Sequence, residues 1–542
     1  MRRLTIRRIK RVAGLFIPLF LAAGPFPPPA AAGTQSKHRV EITVDASRVI
    51  NIMRGGIGAS WHAIEEPIPI GNGGSGWGAY PPAEDERAWQ QIYRYATWLG
   101  LDWNRVEVEQ RIYEPERDRF TFDSPEMRIL YRILDWNQKR GADVFFQQMW
   151  VNTAWLAYPN ARNDPIRRVH SAPQDVKGFA NGLATLMEYL IKKRGYTCIK
   201  WLSITNEPGA NWSWWQGPDG EPLSIGAGLA AVHKALAQRG LSLPLSGPDS
   251  GMEVFGTALN PNDAALLGAY DFHDYGIKLD SLSGGYIEKQ THDFSTWAKF
   301  AHNQNKPVFL SEFGSAESPS WPTDPRPNSP ESVLAASEFL IRAANAGVDG
   351  FNRWSYLNRG DLDGQWQYVD TWDAKRKRLL TEFVPHPNSY FGLGLLSRFT
   401  AVHSAVLSTN VSVVKMKGWQ SVFCAAFRSP EGNVSLAIVN DAPVEFDLKL
   451  RWVGRPPHGR FFRYSYGKAQ YNRVDVRVNP DPKFSPAPGG TWTDHLPPNS
   501  LTIYSTYELE NDDPGVVVDD SEHPYSCGAC KAEGSGAGAG RE

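Results

Sequence analysis

The chain has 542 residues, with 57 Lys plus Arg against 58 Asp plus Glu, so no bulk charge draws it to nucleic acid and an uncharged or weakly charged partner is expected. That length exceeds one ordinary domain and is enough for a large core. Aromatic residues make up 12% of the chain and include 20 Trp, whose indole rings stack on the apolar faces of sugar rings when they are not, as most are, core residues.

Arg2, Arg3, Arg7, Arg8, Lys10 and Arg11 precede an apolar run from Val12 to Gly24, a Pro-rich patch and Ala30-Ala31-Ala32. This order predicts a signal peptide over residues 1–32 and a secreted or extracytoplasmic mature protein. The run is too short to span a bilayer and Pro18 interrupts it; no later segment is long and apolar enough, so no membrane span is expected in the mature chain.

Residues 33–50 contain the alternating run Arg39–Val44, expected to join a sheet built by the far end of the chain. From residue 51 to 394 strand and helix signals alternate. Gly55–Ser60 is a candidate first strand, followed by an amphipathic helix with Trp89, Ile92, Tyr93, Ala96 and Leu99 on one face and a stop at Gly100. Trp103–Val108 reads as the second strand, and a helix through Met127, Leu130, Ile133 and Leu134 ends at Gly141. Asp143–Trp150 is the third strand, followed by a helix through Val176, Phe179, Leu183, Met187 and Leu190 that leads to the fourth, at Trp201. Leu243–Pro248, Tyr270–Tyr275 and Pro307–Ser311 are the fifth to seventh. Pro330 and Gly347 bracket a helix before the eighth, Asp349–Tyr356. Eight such units predict a (β/α)8 TIM barrel, whose active face lies at the carboxyl ends of the strands.

Over residues 395–507 short alternating runs take over: Val411–Met416, Val434–Val439, Phe446–Leu450 and Leu501–Ser505. They predict an additional C-terminal β-sandwich. Residues 508–542 are acidic, then Gly/Ala-rich, and read as a disordered tail carrying an isolated Cys527/Cys530 pair with no catalytic role; Cys198 and Cys424 read as buried thiols.

Two carboxylate motifs end strand-like runs: Asn206-Glu207-Pro208 after the fourth and Ser311-Glu312-Phe313-Gly314 after the seventh. Cleaving a glycoside needs one carboxylic acid to protonate the leaving oxygen and one carboxylate to act as nucleophile or as base for water. Each glutamate alone reads equally well as a helix cap or an arginine partner. Together they are more specific, because the interval between them is the room that three strand–helix units need. His62 with Trp61, Trp150 with Asn152, and Trp212, Trp214 and Trp215 in the loop after Glu207 are candidate sugar contacts, and three indoles in one loop are not expected all to be buried.

On these motifs and this layout the chain resembles the retaining glycoside hydrolases of clan A, such as families 5, 30 and 39. The resemblance implies Glu207 as acid/base, Glu312 as nucleophile, Asn206 as a donor to the sugar 2-hydroxyl, Arg105 as support for the nucleophile, His273 and Tyr275 as strand-six contacts and Trp354 as a sugar platform. Arg105 beside Glu312 is expected to hold that carboxylate ionised; its duller alternative is a salt bridge to Glu107 or Glu109. The implied activity is that of a secreted retaining β-glycosidase that hydrolyses O-glycosidic bonds in polysaccharides or oligosaccharides by double displacement, with no metal and no cofactor. Transglycosylation and non-catalytic carbohydrate binding are the alternatives, since fold does not fix function.

Overall fold

The computed structural model describes residues 38–508 apart from 64–68, 71–73, 76–79, 151, 209, 211–213, 252–260, 278–283, 316–327, 358–365, 374–375, 377, 413–414, 417–418, 474–475, 477 and 482–489. The expected signal peptide, Trp212 and the tail with Cys527 and Cys530 lie outside the described residues.

Eight parallel strands close into a barrel in chain order: Ile57–His62, Trp103–Val108, Asp143–Gln148, Ile199–Ser203, Leu245–Gly251, Leu267–Ile277, Val308–Ser315 and Gly350–Arg353. The outer helices carry the start and stop chemistry that their sequences announce. Ser124 caps Pro125–Arg140 by accepting from Met127 N, and Gly141 closes it at φ 72°. Ser329 caps Pro330–Ala346 by accepting from Ser332 N, and Gly347 closes it at φ 103°. A side-chain oxygen satisfies an orphan N–H at one end, and a residue without Cβ takes the left-handed turn at the other.

Side chains of a barrel strand alternate between the interior and the helix layer, so each strand reads as two interleaved sequences. Trp103, Phe145, Ala269 and Phe309, with Trp201 packed on them, form an aromatic plug inside the amino-terminal end of the barrel. A Cβ on Gly55 would lie 2.8 Å from the Trp103 ring, which is why a residue without one stands there. Two residues further along the strands the inward positions are Arg105, Gln147, Ser203, Asp271 and Ser311, all buried. The interior thus changes from aromatic to polar toward the carboxyl ends, while Val106, Val108, Val144, Phe146 and Leu202 face the main helix-side core.

The remaining strands form one eight-stranded sheet in the order Phe462–Tyr466, Ser500–Ser505, Val434–Asn440, Val422–Arg428, Ala405–Val411, His38–Ile52, Phe446–Val453 and Thr491–Leu496. The amino-terminal strand does join it, antiparallel to Ala405–Val411 and parallel to Phe446–Val453. The layers expected of a sandwich belong to a single curled sheet: Arg463 on one edge strand reaches both oxygens of Asp494 on the other at 2.6 and 2.8 Å, and Phe461 meets Trp492 at 5.1 Å. The first strand of the C-terminal half lies earlier than the expected Val411–Met416, because the preceding Ala405–Val411 alternates equally well and pairs on both sides.

Period two also joins sheet to barrel. In Val422–Arg428, Val422, Cys424 and Ala426 enter the core of the curled sheet, whereas Phe423, Ala425 and Phe427 enter the barrel's core. The helix Pro330–Ala346 lies between, with Asn345 Nδ2 donating to Cys424 O at 2.9 Å. Cys198 and Cys424 are free and buried, as the sequence suggests.

Candidate active site

Glu207 lies just beyond the fourth barrel strand, with its backbone turned into the left-handed region at φ 42° and its N–H donating to Asp249 O at 2.7 Å. Its side chain is partly exposed, whereas that of Glu312 is buried. Glu312 owes its direction to a bulge. Leu310 pairs with Phe272 and Glu312 with His273, so Ser311 is one residue more than the neighbouring strand provides. Ser311 Oγ donates to Asp249 Oδ1 at 3.1 Å, and Glu312 Oε1 accepts from Arg105 Nη1 at 2.5 Å. Two successive side chains therefore face the interior, which a regular strand forbids and an extra residue permits.

The two glutamates meet around His273. Its Nδ1 lies 2.8 Å from Glu207 Oε1 and 3.4 Å from Glu312 Oε2, and its Nε2 lies 2.9 Å from Asp249 Oδ1. One oxygen from each glutamate and a nitrogen of His273 all fall within 4.8 Å of one another. Tyr275 Oη donates to Glu312 Oε2 at 2.7 Å. A Cβ on Gly314 would lie 2.8 Å from Tyr275 Cε1, so the glycine after the glutamate lets that phenol lie against the strand.

Arg105 is wholly buried and spreads its guanidinium over Glu312, Glu107 at 2.7 Å, Asn206 Oδ1 at 2.8 Å and Asp249 at 3.3 Å. The contact with Glu312 and the salt bridge within the barrel to Glu107, set out above as alternatives, are both present. Burial raises the Glu312 carboxyl above its ordinary range, and the charges of His273 and Arg105 oppose that rise without cancelling it. Burial alone would lower the His273 imidazole, but the charges of Glu312 and Asp249 and bonds to Asp249 and Glu207 outweigh it and hold the ring well above its usual value. Burial also works against Asp249, yet Arg105 and His273 bring its carboxyl below the usual range. Asp271, whose carboxylate accepts from Asp249 N at 2.7 Å, is pushed up to about 8 by burial and by the charge of Asp249.

The other expected contacts divide. Trp354 is buried at the end of strand eight, its ring 5.9 Å from the Arg105 guanidinium and 5.0 Å from His62. His62 is itself buried, with Nδ1 2.6 Å from Glu107 Oε2. Asn206 and Tyr275 stand at the carboxylate pair, and His273 binds carboxylates there instead of standing free for a sugar. Trp150 is a core residue. Asn152 is buried between Glu109 Oε2 at 3.0 Å and Arg168 at 3.1 Å, inside a polar network that also holds Arg111. Trp214 and Trp215 are buried against each other and Phe179, because the helix carrying Phe179 offers an apolar face that absorbs both rings, so neither is open to a sugar; Trp212, the third indole of that loop, lies outside the described residues. Sequence reasoning missed Asp249, which follows a weak strand signal, and Trp366, which is partly exposed and meets the Tyr275 ring at 5.6 Å.

No family model matches the sequence, and no curated protein matches it. Solved structures match across barrel and sheet. A family 30 endoxylanase from Clostridium papyrosolvens C71 aligns at a TM-score of 0.56 and 13% identity, covering 86% of this chain and 99% of that one. A family 51 α-L-arabinofuranosidase from Thermotoga petrophila RKU-1 aligns at 0.57 and 12%, covering 86% and 100%. An endo-β-1,6-glucanase aligns at 0.56 and 13%, covering 86% and 94%. The fold is that of glycoside hydrolases of families 30 and 51, in clan A.

Proposed function

We propose that the protein is a retaining glycosidase that hydrolyses O-glycosidic bonds in polysaccharides or oligosaccharides by double displacement. The observation that carries this reading is the approach of Glu207 and Glu312, with oxygens inside 4.8 Å of one another at the carboxyl ends of strands four and seven. Retaining enzymes hold their carboxyl groups about 5–5.5 Å apart, whereas inverting ones leave roughly 6.5–9.5 Å for a water.

In the first step a Glu312 oxygen attacks the anomeric carbon while Glu207 gives its proton to the leaving oxygen, so the glycosidic C–O bond breaks as a glycosyl ester forms. In the second, Glu207 takes a proton from water, the hydroxide oxygen attacks the same carbon, and Glu312 leaves as carboxylate. Arg105 and Tyr275 hold one oxygen of Glu312 each, which fixes the nucleophile's orientation. Glu207 Oε1 faces the His273 Nδ1–H, so the transferable proton belongs on Oε2. Tyr275, which binds Glu312, and Trp366, which lies against the Tyr275 ring, are both partly exposed and supply aromatic surface for a sugar ring. The matched enzymes act on different glycans, so the scaffold leaves the sugar open, and the order of basic, apolar and small residues over 1–32 supports an exported enzyme.

A panel of aryl glycosides and polysaccharides, with the product anomer followed by NMR, tests the reading. Retention is expected in the wild type, with kcat lowered about 10²–10⁴-fold in Glu207→Gln and more in Glu312→Gln. Inversion, or a wild-type rate in either variant, would sink it.

A further inference from the structure

The geometry points to Asp249 as a positioning residue that fixes His273 with an N–H on each ring nitrogen, so that the Nδ1 proton lies between the two candidate catalytic carboxylates. This deepens the glycosidase reading and rests on it.

Asp249 has 0% of its surface exposed and is surrounded by donors. Its Oδ1 receives His273 Nε2 at 2.9 Å and Ser311 Oγ at 3.1 Å; its Oδ2 receives Gln147 Nε2 at 2.8 Å and Arg105 Nη2 at 3.3 Å. Four donors on two oxygens leave no place for a proton of its own, so the group is a carboxylate. Its backbone adopts φ 57°, a left-handed conformation uncommon outside glycine, which lets its carbonyl take the Glu207 N–H while its side chain faces the interior. One residue thereby joins the backbone of the acid/base, the guanidinium on the nucleophile and the imidazole between them.

A carboxylate at Nε2 calls for an N–H there. Nδ1 faces Glu207 at 2.8 Å and Glu312 at 3.4 Å, and at least one of these is ionised at every stage of a double displacement, so Nδ1 also carries its hydrogen. The charged or titratable groups around the ring are Glu207 from strand four, Asp249 from strand five, Glu312 from strand seven and Arg105 behind them from strand two; Asp271 and Tyr275 flank it on its own strand. When the ester forms, negative charge leaves Glu312 and appears on Glu207. A fixed N–H within reach of both stabilises whichever carries the charge, with no heavy-atom movement and no net proton gained or lost.

The test is the NMR titration of the His273 ring in the full chain, assigned by loss of its signal in His273→Gln, in wild type and Asp249→Asn, together with kcat against pH. His273 is expected to stay protonated through neutral pH in the wild type and to lose its proton at lower pH in Asp249→Asn. In the same variant kcat should fall about 100-fold, with KM within about twofold and the alkaline limb moved to lower pH. An unchanged His273 titration and an unchanged pH profile in a folded Asp249→Asn would overturn the assignment. Should that variant not fold, the wild type decides: a ring that loses its proton below about 6.5 overturns it. Failure of the glycosidase reading would appear separately, as absent wild-type turnover, because the titration needs no substrate.

Discussion

At the scale of residues, the site depends on a buried cation shared among several anions. Arg105 faces Glu107, Asp249 and Glu312 with none of its surface exposed, and removing one partner from a buried ionic cluster costs about 3–5 kcal/mol. Arg105→Ala should therefore lower stability by about that much in denaturant unfolding, and Arg105→Lys, which lacks the planar fork, should lose activity even where it folds. A stability loss under about 1 kcal/mol for Arg105→Ala would show that the network is screened. Asp271 gives the opposite sign to the usual carboxylate. Burial and Asp249 push its carboxyl up to about 8, so the folded protein holds a proton there that the unfolded chain releases near about 3.9. Between those values the native state binds more protons, and stability falls as pH rises through the window. Asp271→Asn keeps a neutral acceptor for Asp249 N and should flatten that fall, so its Tm advantage over wild type should grow from about pH 5 to about pH 8. Parallel Tm profiles would refute the neutral assignment.

At the scale of elements, direction is set by local backbone irregularity. The bulge at Ser311 sends both Ser311 and Glu312 inward, and the glycine two residues on leaves room for the phenol that binds Glu312. Gly314→Ala puts a Cβ 2.8 Å from Tyr275 Cε1 and is expected to displace that ring, lowering kcat with little change in Tm; an unchanged kcat would mean that Tyr275 is dispensable. Strands four and seven were legible because their apolar runs end on a polar residue followed by glutamate. All eight barrel strands were found, with ends shifted by a few residues. The inward register of Trp103, Arg105 and Glu107 was visible as alternation, but which cation meets which anion depends on barrel closure, so Arg105 reached Glu312 only through the family resemblance. Asp249 was hidden because Leu243-Pro-Leu-Ser-Gly-Pro gives little strand signal and its partners come from four other strands. Trp214 and Trp215 stood among the candidate sugar contacts because sequence alone does not reveal the Phe179 face they fill.

At the scale of the whole molecule, the chain enters the sheet at His38–Ile52, builds the barrel from one contiguous stretch between Ile57 and Arg353 and returns to the sheet, so the sheet is closed only by joining both ends of the chain. Phe423, Phe427, Val439, Leu501 and Ile503 belong to the sheet yet are buried in the barrel's core. Calorimetry should therefore give one cooperative transition, and two separable ones would contradict a shared core. The paired glutamates are the central claim, and chemical rescue tests them most directly. With an aryl glycoside that the wild type cleaves, azide added to Glu207→Ala should yield a glycosyl azide of retained configuration, because the ester on Glu312 still forms and the small anion opens it. Azide added to Glu312→Ala should yield the inverted product, because the anion itself takes the place of the missing carboxylate. The opposite pair of configurations, or no rescue in either variant alongside wild-type rates without azide, would contradict the assignment.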